Sequence, residues 1–412
     1  MSGIREKMMK TMTKKTLNVA VAVALLSVSS ASVNAEESIA KAMTSGTAGV
    51  NFNLRYESVD QDNAVEDASA LTLRTLLSYK SASYKNFSAM IEVEDTRIVL
   101  GQGDYTVGPT GYNSGMYSVI ADPEHTELDQ GYIQYSKDNF TAKLGRQVIT
   151  MDNHRFIGHV GWRQDRQTFD GISVNYCPAK AVSLKYAYLT QRNRIFAEAA
   201  DFDAKDHLLN ASYNSSLGKI TAYGYLLEID NNVENSLDTF GIRFSGDSSV
   251  ADTKIIYTAE YATQSSDSAT TSFDADYLML EVGGVFSGVT AKVGYEVLGS
   301  DDGNYGFSTP LATLHKFNGW ADVFLGTPAE GLVDLSVTLS GQVAGGSLTA
   351  TYHDFEADDA SESVDDLGSE IDLQYAYKIS ANYSMGIKYA AYSGESGRVD
   401  TDKLWLWLGA KF

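Results

Sequence analysis

Apolar and polar side chains alternate strictly through much of this chain. Ile371, Leu373, Tyr375, Tyr377 and Ile379 interleave with Asp372, Gln374, Ala376 and Lys378. Val289, Ala291, Val293, Tyr295 and Val297 interleave with Thr290, Lys292, Gly294 and Glu296. Val333–Leu339, Tyr383–Tyr389 and Val182–Tyr188 repeat the pattern. A period of two places successive side chains on opposite faces of an extended strand. No sustained helical period is legible after residue 45, so the sequence predicts strands throughout.

The connections alternate in length. Short turns are expected near residues 81–86, 137–139, 178–181, 216–218, 247–252, 287–288, 342–346 and 380–382, each built from Gly, Asn, Asp or Ser. Long polar loops are expected between them, including 98–125, 151–165, 193–205, 300–331 and 357–368. Short turns on one side and long loops on the other predict an all-β, transmembrane, antiparallel up-and-down β-barrel. Eight short turns join sixteen strands. A first strand near 47–57 and a last near 403–412 bring the expected number to eighteen, or sixteen if 237–246 is loop. Barrels of that size leave an aqueous channel. The five prolines, Pro109, Pro123, Pro178, Pro310 and Pro328, all fall in expected turns or loops, as residues without a ladder donor should.

The two ends of the chain agree with export to a membrane. Arg5, Lys7, Lys10, Lys14 and Lys15 precede an apolar run from about Leu17 to Val28, and Val33-Asn34-Ala35 offers a small-residue cleavage site. That order predicts a signal peptide over 1–35 and a barrel domain over 36–412. The run is too short for a spanning helix, which needs about 20 apolar residues. At the other end Leu404, Leu406, Leu408, Ala410 and the terminal Phe412 share one face. A terminal aromatic closing an alternating strand resembles the signal read by the barrel-assembly machinery. A hydrophobic fraction of 43% and a mean hydropathy of −0.20 fit a barrel, whose lipid-facing and lumen-facing residues average out. The 25 tyrosines suit interfacial girdles.

Charge narrows the partners. The formal net charge is −21 although the first 35 residues are basic, which excludes nucleic acid. The one cysteine, Cys177, allows no intrachain disulfide and no thiolate metal cluster.

Gly145-Arg146-Gln147, Arg155-Phe156-Ile157-Gly158, Trp162-Arg163-Gln164 and Thr168-Phe169-Asp170 form a series that resembles the alginate export family of outer-membrane porins. Leu314–Asp322 and Asp402–Trp407 are similar to that family too. The resemblance implies an eighteen-stranded barrel, agreeing with the independent strand count. It implies a pore more firmly than it implies alginate as the solute.

The candidate lining follows from charge and parity. Segment 143–194 holds Lys143, Arg146, Arg155, Arg163, Arg166, Lys180, Lys185, Arg192 and Arg194 against Asp152, Asp165 and Asp170. Arginine forks bind carboxylates bidentately, so these residues are expected to attract anions, with loop 151–165 folded into the lumen. The alternative is charge pairing with acidic loops or with lipopolysaccharide phosphates. If the apolar face meets lipid, Arg74, Lys143, Lys185 and Arg243 face the lumen, as do Arg55, Lys80, Lys292, Lys378 and Lys388. Glu57, Glu92, Glu94, Glu260, Glu296, Asp334 and Asp372 share that face. Arg146 and Arg166 have the parity of lipid-facing Leu144 and Ile172, so they must lie beyond the membrane band or a bulge near Gly145 must re-aim the strand. No cofactor is expected beyond weak divalent-cation binding by acidic loops. Asp301-Asp302-Gly303-Asn304 resembles only a fragment of a calcium loop. The expected function is an outer-membrane porin or exporter in a Gram-negative bacterium, passing small polar or anionic solutes or an anionic, alginate-like polysaccharide. A barrel enzyme and a soluble exported carbohydrate-binding protein remain as alternatives.

Overall fold

Eighteen strands close on themselves in the computed structural model, which describes residues 38–108, 113–250 and 253–412. The leader expected over 1–35 lies outside the described residues. In chain order the strands are β1 (Thr47–Gln61), β2 (Ala68–Lys80), β3 (Phe87–Asp104), β4 (His125–Lys137), β5 (Phe140–Gln147), β6 (Thr168–Ala179), β7 (Val182–Asn193), β8 (Phe202–Ser215) and β9 (Gly218–Leu227). The second half holds β10 (Asn235–Val250), β11 (Thr253–Ser268), β12 (Ser272–Phe286), β13 (Val289–Leu298), β14 (Leu332–Val343), β15 (Gly346–Glu356), β16 (Asp366–Lys378), β17 (Tyr383–Gly394) and β18 (Thr401–Lys411). Each strand pairs antiparallel with its chain neighbours, and β18 pairs with β1 from Asn51↔Lys411 to Gln61↔Thr401. Residues 237–246 lie within β10, so the count is eighteen rather than sixteen.

The alternation becomes two faces. Leu77, Ile133, Leu144, Ile242, Leu280, Val282, Val337, Ile371, Leu373, Leu406 and Leu408 are exposed, as a lipid-facing belt requires. Their strand neighbours point inward: Arg55, Glu57, Arg74, Glu94, Glu260, Glu296, Asp372 and Trp405 are buried. Aromatic rings gather near the short turns. Phe87, Tyr135 and Phe140 pack in succession with tilted rings, their centroids 4.9 and 6.3 Å apart. Tyr383 meets Phe412 at 5.7 Å. At the seam, Val50 and Phe412 exchange both backbone hydrogen bonds, at 3.0 and 2.9 Å. A short helix, α1 (Ile39–Thr44), leads into β1 at the turn end, where Tyr79 donates to the Met43 carbonyl.

Two local expectations change. Pro178 lies inside the end of β6 at a register irregularity between Tyr176 and Ala179, where no ladder donor is needed. The bulge expected near Gly145 lies on the neighbouring strand. β5 keeps unbroken register, whereas β4 slips so that Asp129 stands opposite no residue of β3. Gly145 has φ +122°, and a Cβ there would sit 2.3 Å from the Gly131 carbonyl oxygen. Only glycine accommodates that backbone and that approach.

Candidate functional site: loops folded into a charged lumen

Three long loops turn back into the barrel: 148–167, 299–331 and the described residues of 105–124, where Tyr105, Val107 and Ile120 pack on Val59, Ala68 and Ala70. Loop 148–167 does so because its sequence is amphipathic. Ile149, Met151, Phe156 and Ile157 are buried in one cluster with inward-facing Phe169, Leu189, Tyr223, Tyr225 and Tyr277. The Phe156 ring lies 5.2 Å from Tyr223 and 5.3 Å from Tyr277. Phe307, Leu311, Ala321 and Phe324 bring loop 299–331 into the same cluster. The expectation that 151–165 enters the lumen is met on these contacts.

Its arginines are not free. Arg155, 1% exposed, donates from Nε to Glu296 Oε1 at 2.8 Å and from Nη2 to Asn318 Oδ1 at 3.0 Å. Arg163 holds both Glu57 oxygens, at 3.0 and 2.9 Å, and Asp322 Oδ2 at 3.0 Å. Arg55 pairs with Asp122 and donates to the Trp162 carbonyl. Arg166 precedes β6, so strand parity does not apply to it; it reaches Glu92 and the bulged Asp129. Arg146 keeps the outward parity of Leu144, which is 63% exposed, at the loop end of β5. It forks onto Asp170 at 2.7 and 3.2 Å and therefore does not line the lumen. Arg243 pairs with Glu260. Arg146, Arg155, Arg163, Arg166 and Arg192 are matched by carboxylates that stand mostly on strands of the barrel wall, with Asp322 coming from a loop, whereas the alternative read from the sequence placed the partners in acidic loops or on lipopolysaccharide.

Loop 299–331 is seated by wall carboxylates. Glu370 Oε1 accepts from the Ala321 amide at 2.7 Å, and Asp372 Oδ2 from the Trp320 amide at 3.2 Å. His315 stacks on Trp162 with centroids 4.9 Å apart and planes 8° apart. Its Nδ1 faces Asp322 Oδ1 at 2.7 Å and its Nε2 faces Lys388 Nζ at 2.9 Å. Burial holds the His315 pKa down at about 3, with Lys388 adding to the effect and Asp322 opposing it. The Lys388 ammonium lies 3.8 Å from the Trp320 ring centroid and 4.3 Å from that of Trp162. The sequence reading missed this second plug apart from the Leu314–Asp322 stretch. Asp301–Asn304 is the turn of a ribbon pairing Ser300–Asp301 with Tyr305–Gly306, where the Asn304 amide donates to the Asp301 carbonyl.

Below the loops, toward the short turns, the lumen wall changes sign. Lys80, Lys143, Lys185 and Lys378 have inward parity in the turn half and make no ion pair among the described residues. Lys143 sits over the Tyr132 ring at 4.5 Å. Lys219 and Lys292, also in the turn half, pair with Asp152 and Glu281 at 2.7 and 2.8 Å. Arg74 lies just above, donating to the Arg163 carbonyl at 3.3 Å, again without an ion pair among the described residues. Glu57, Glu296, Asp334, Glu370 and Asp372 stand in the loop half.

A closed antiparallel barrel with an apolar outer belt, a charged lumen and inward-folded loops defines an outer-membrane porin. A sequence profile of the alginate export family matches residues 44–299, and the chain belongs to that family. It is a protein of the Gram-negative outer membrane that passes small solutes through its lumen, and it is not an enzyme. No curated protein matches the chain significantly. Among solved structures the fold is similar to Acinetobacter baumannii OccAB4, with a TM-score of 0.71, 11% identity, and coverage of 89% of this chain and 98% of that one. Pseudomonas aeruginosa OccK9 (OpdG) gives 0.69 at 14% identity, covering 90% and 99%. P. aeruginosa OpdK, determined with vanillate, gives 0.70 at 11% identity, covering 89% and 98%.

Proposed function

We propose that this porin carries anionic solutes, either small carboxylates or an alginate-like polyuronate, and that the lysines of the turn half recruit them. The observation that carries this reading is the inward row Lys80, Lys143, Lys185 and Lys378, none of which makes a direct ion pair among the described residues, Lys185 alone sensing Asp152 at longer range. Arg155 and Arg163 have the opposite property and serve to hold the loops in place. Short turns face the periplasm in outer-membrane barrels. A solute leaving the cell therefore meets the basic half first and the acidic loops last. Low-dielectric walls focus the field of the lysines into the channel. The family's name and the vanillate of OpdK, itself a carboxylate, point to the same solute class. Delivery to the barrel-assembly machinery through the strand ending at Phe412 is part of the same reading, as is removal of residues 1–35.

The test is the zero-current reversal potential across a salt gradient in a planar bilayer. Wild-type protein should prefer anions. The triple variant Lys80→Gln, Lys143→Gln, Lys185→Gln should lose most of that preference while keeping its heat-modifiable migration. A wild-type barrel that prefers cations would refute the proposal.

A further inference from the structure

Glu94, His125 and Asp165 meet in a buried group that the pore function leaves unexplained. Glu94 projects inward from β3, His125 is the first residue of β4, and Asp165 ends the lumen loop 148–167. All three are buried, Glu94 and Asp165 completely. One ligand atom from each lies within 4.8 Å of the others.

The hydrogen bonds fix the imidazole. His125 Nδ1 lies 3.0 Å from the Pro123 carbonyl oxygen, an acceptor that forces the proton onto Nδ1. Nε2 then turns its lone pair toward Glu94 Oε1 at 3.1 Å and Asp165 Oδ1 at 4.0 Å. Two carboxylates facing Nε2 call for positive charge there, supplied either by a second proton on the ring or by a metal ion. A proton on Nε2 would serve Glu94 Oε1 alone. Glu94 Oε2 and Asp165 Oδ1 have no hydrogen-bond partner among the described residues, and each is buried. Asp165 is held in its pose by its other oxygen, which accepts from the Ala197 amide at 2.9 Å. A histidine whose second ring nitrogen donates to a backbone carbonyl, beside oriented carboxylates, is the usual environment of a metal ligand.

We propose that Glu94, His125 and Asp165 bind one divalent metal ion of the zinc class. One imidazole and two carboxylates provide three protein ligands with a position left for water. The ion ties the barrel wall to the end of loop 148–167 and to the end of loop 105–124, and through Ala197 it supports loop 194–201. It acts as a clamp on the elements that narrow the lumen.

The experiment uses tag-free barrel in detergent, stripped with chelator, given a small excess of zinc and dialysed. Elemental analysis should return one zinc per barrel. Cobalt(II) should give visible d–d absorption that zinc abolishes. His125→Asn and Asp165→Asn, each checked for heat-modifiable migration, should weaken zinc binding about a hundredfold or more. Copper(II) in the wild-type barrel should show electron-spin superhyperfine splitting from a single nitrogen, a readout that needs no variant. Zinc retention unchanged in folded His125→Asn would overturn the proposal, as would a folded wild-type barrel that holds no zinc and gives no cobalt band. Two coupled nitrogens would also overturn it, moving the ion to His154 and His159, whose rings lie 5.2 Å apart.

Discussion

Arg163 divides its guanidinium between carboxylates from opposite ends of the chain, Glu57 in β1 and Asp322 in loop 299–331. Removing one partner of a buried pair strands the others and costs about 3–5 kcal/mol. Arg163→Ser should therefore release loop 148–167 from the wall. The expected result is larger, noisier single-channel conductance, partly reversed by adding Glu57→Gln; an unchanged conductance would show that the loop is held without this pair. His315 supplies a pH dependence. Docked, it stays neutral down to about 3, whereas an undocked imidazole protonates near its ordinary value of 6.5. The undocked loop thus binds more protons between those values, so docking is favoured above 6.5 and weakens as pH falls toward 3. Open-channel noise should rise on acidification from neutral pH to about 4, and less in His315→Gln. Equal responses in the two proteins would exclude His315 as the titrating group. The arginines themselves were legible in the sequence, as was their loop. Their partners were not, because Glu57, Glu296 and Asp322 lie 106, 141 and 159 residues from the arginines they hold.

At the scale of elements, alternation made β13, β14, β16 and β17 readable, since each presents one face to lipid. Loop 299–331 resisted because its apolar residues follow no period and pack on side chains from many strands. Bulges resisted for a related reason: the slip at Asp129 exists only against β3, and its use is to aim a carboxylate at Arg166. The last strand carries a separate prediction. Phe412 is 57% exposed on the lipid side, while its backbone completes the seam with Val50. Phe412→Asp places a charge at that seam and should reduce the folded, heat-modifiable fraction several-fold. An unchanged folded fraction would remove the terminal aromatic from assembly.

For the whole molecule, the formal charge of −21 conceals an axial separation. The loops are crowded with Asp and Glu, among them Asp358, Asp359, Glu362 and Asp365, while the turn half of the lumen carries Lys80, Lys143, Lys185 and Lys378 beside the Lys219–Asp152 and Lys292–Glu281 pairs. Screening over about 8 Å at physiological salt keeps the two regions electrostatically distinct. On the proposed reading, an anion approaching from the turns is attracted before it meets the inward-folded loops, and one approaching from outside is repelled first. The most direct measurement is sided block in a planar bilayer with oriented barrels and a short oligouronate. Addition on the turn side should block at a concentration several-fold lower than addition on the loop side, and the difference should shrink at high salt. Equal block from both sides, or stronger block from the loop side, would contradict the account.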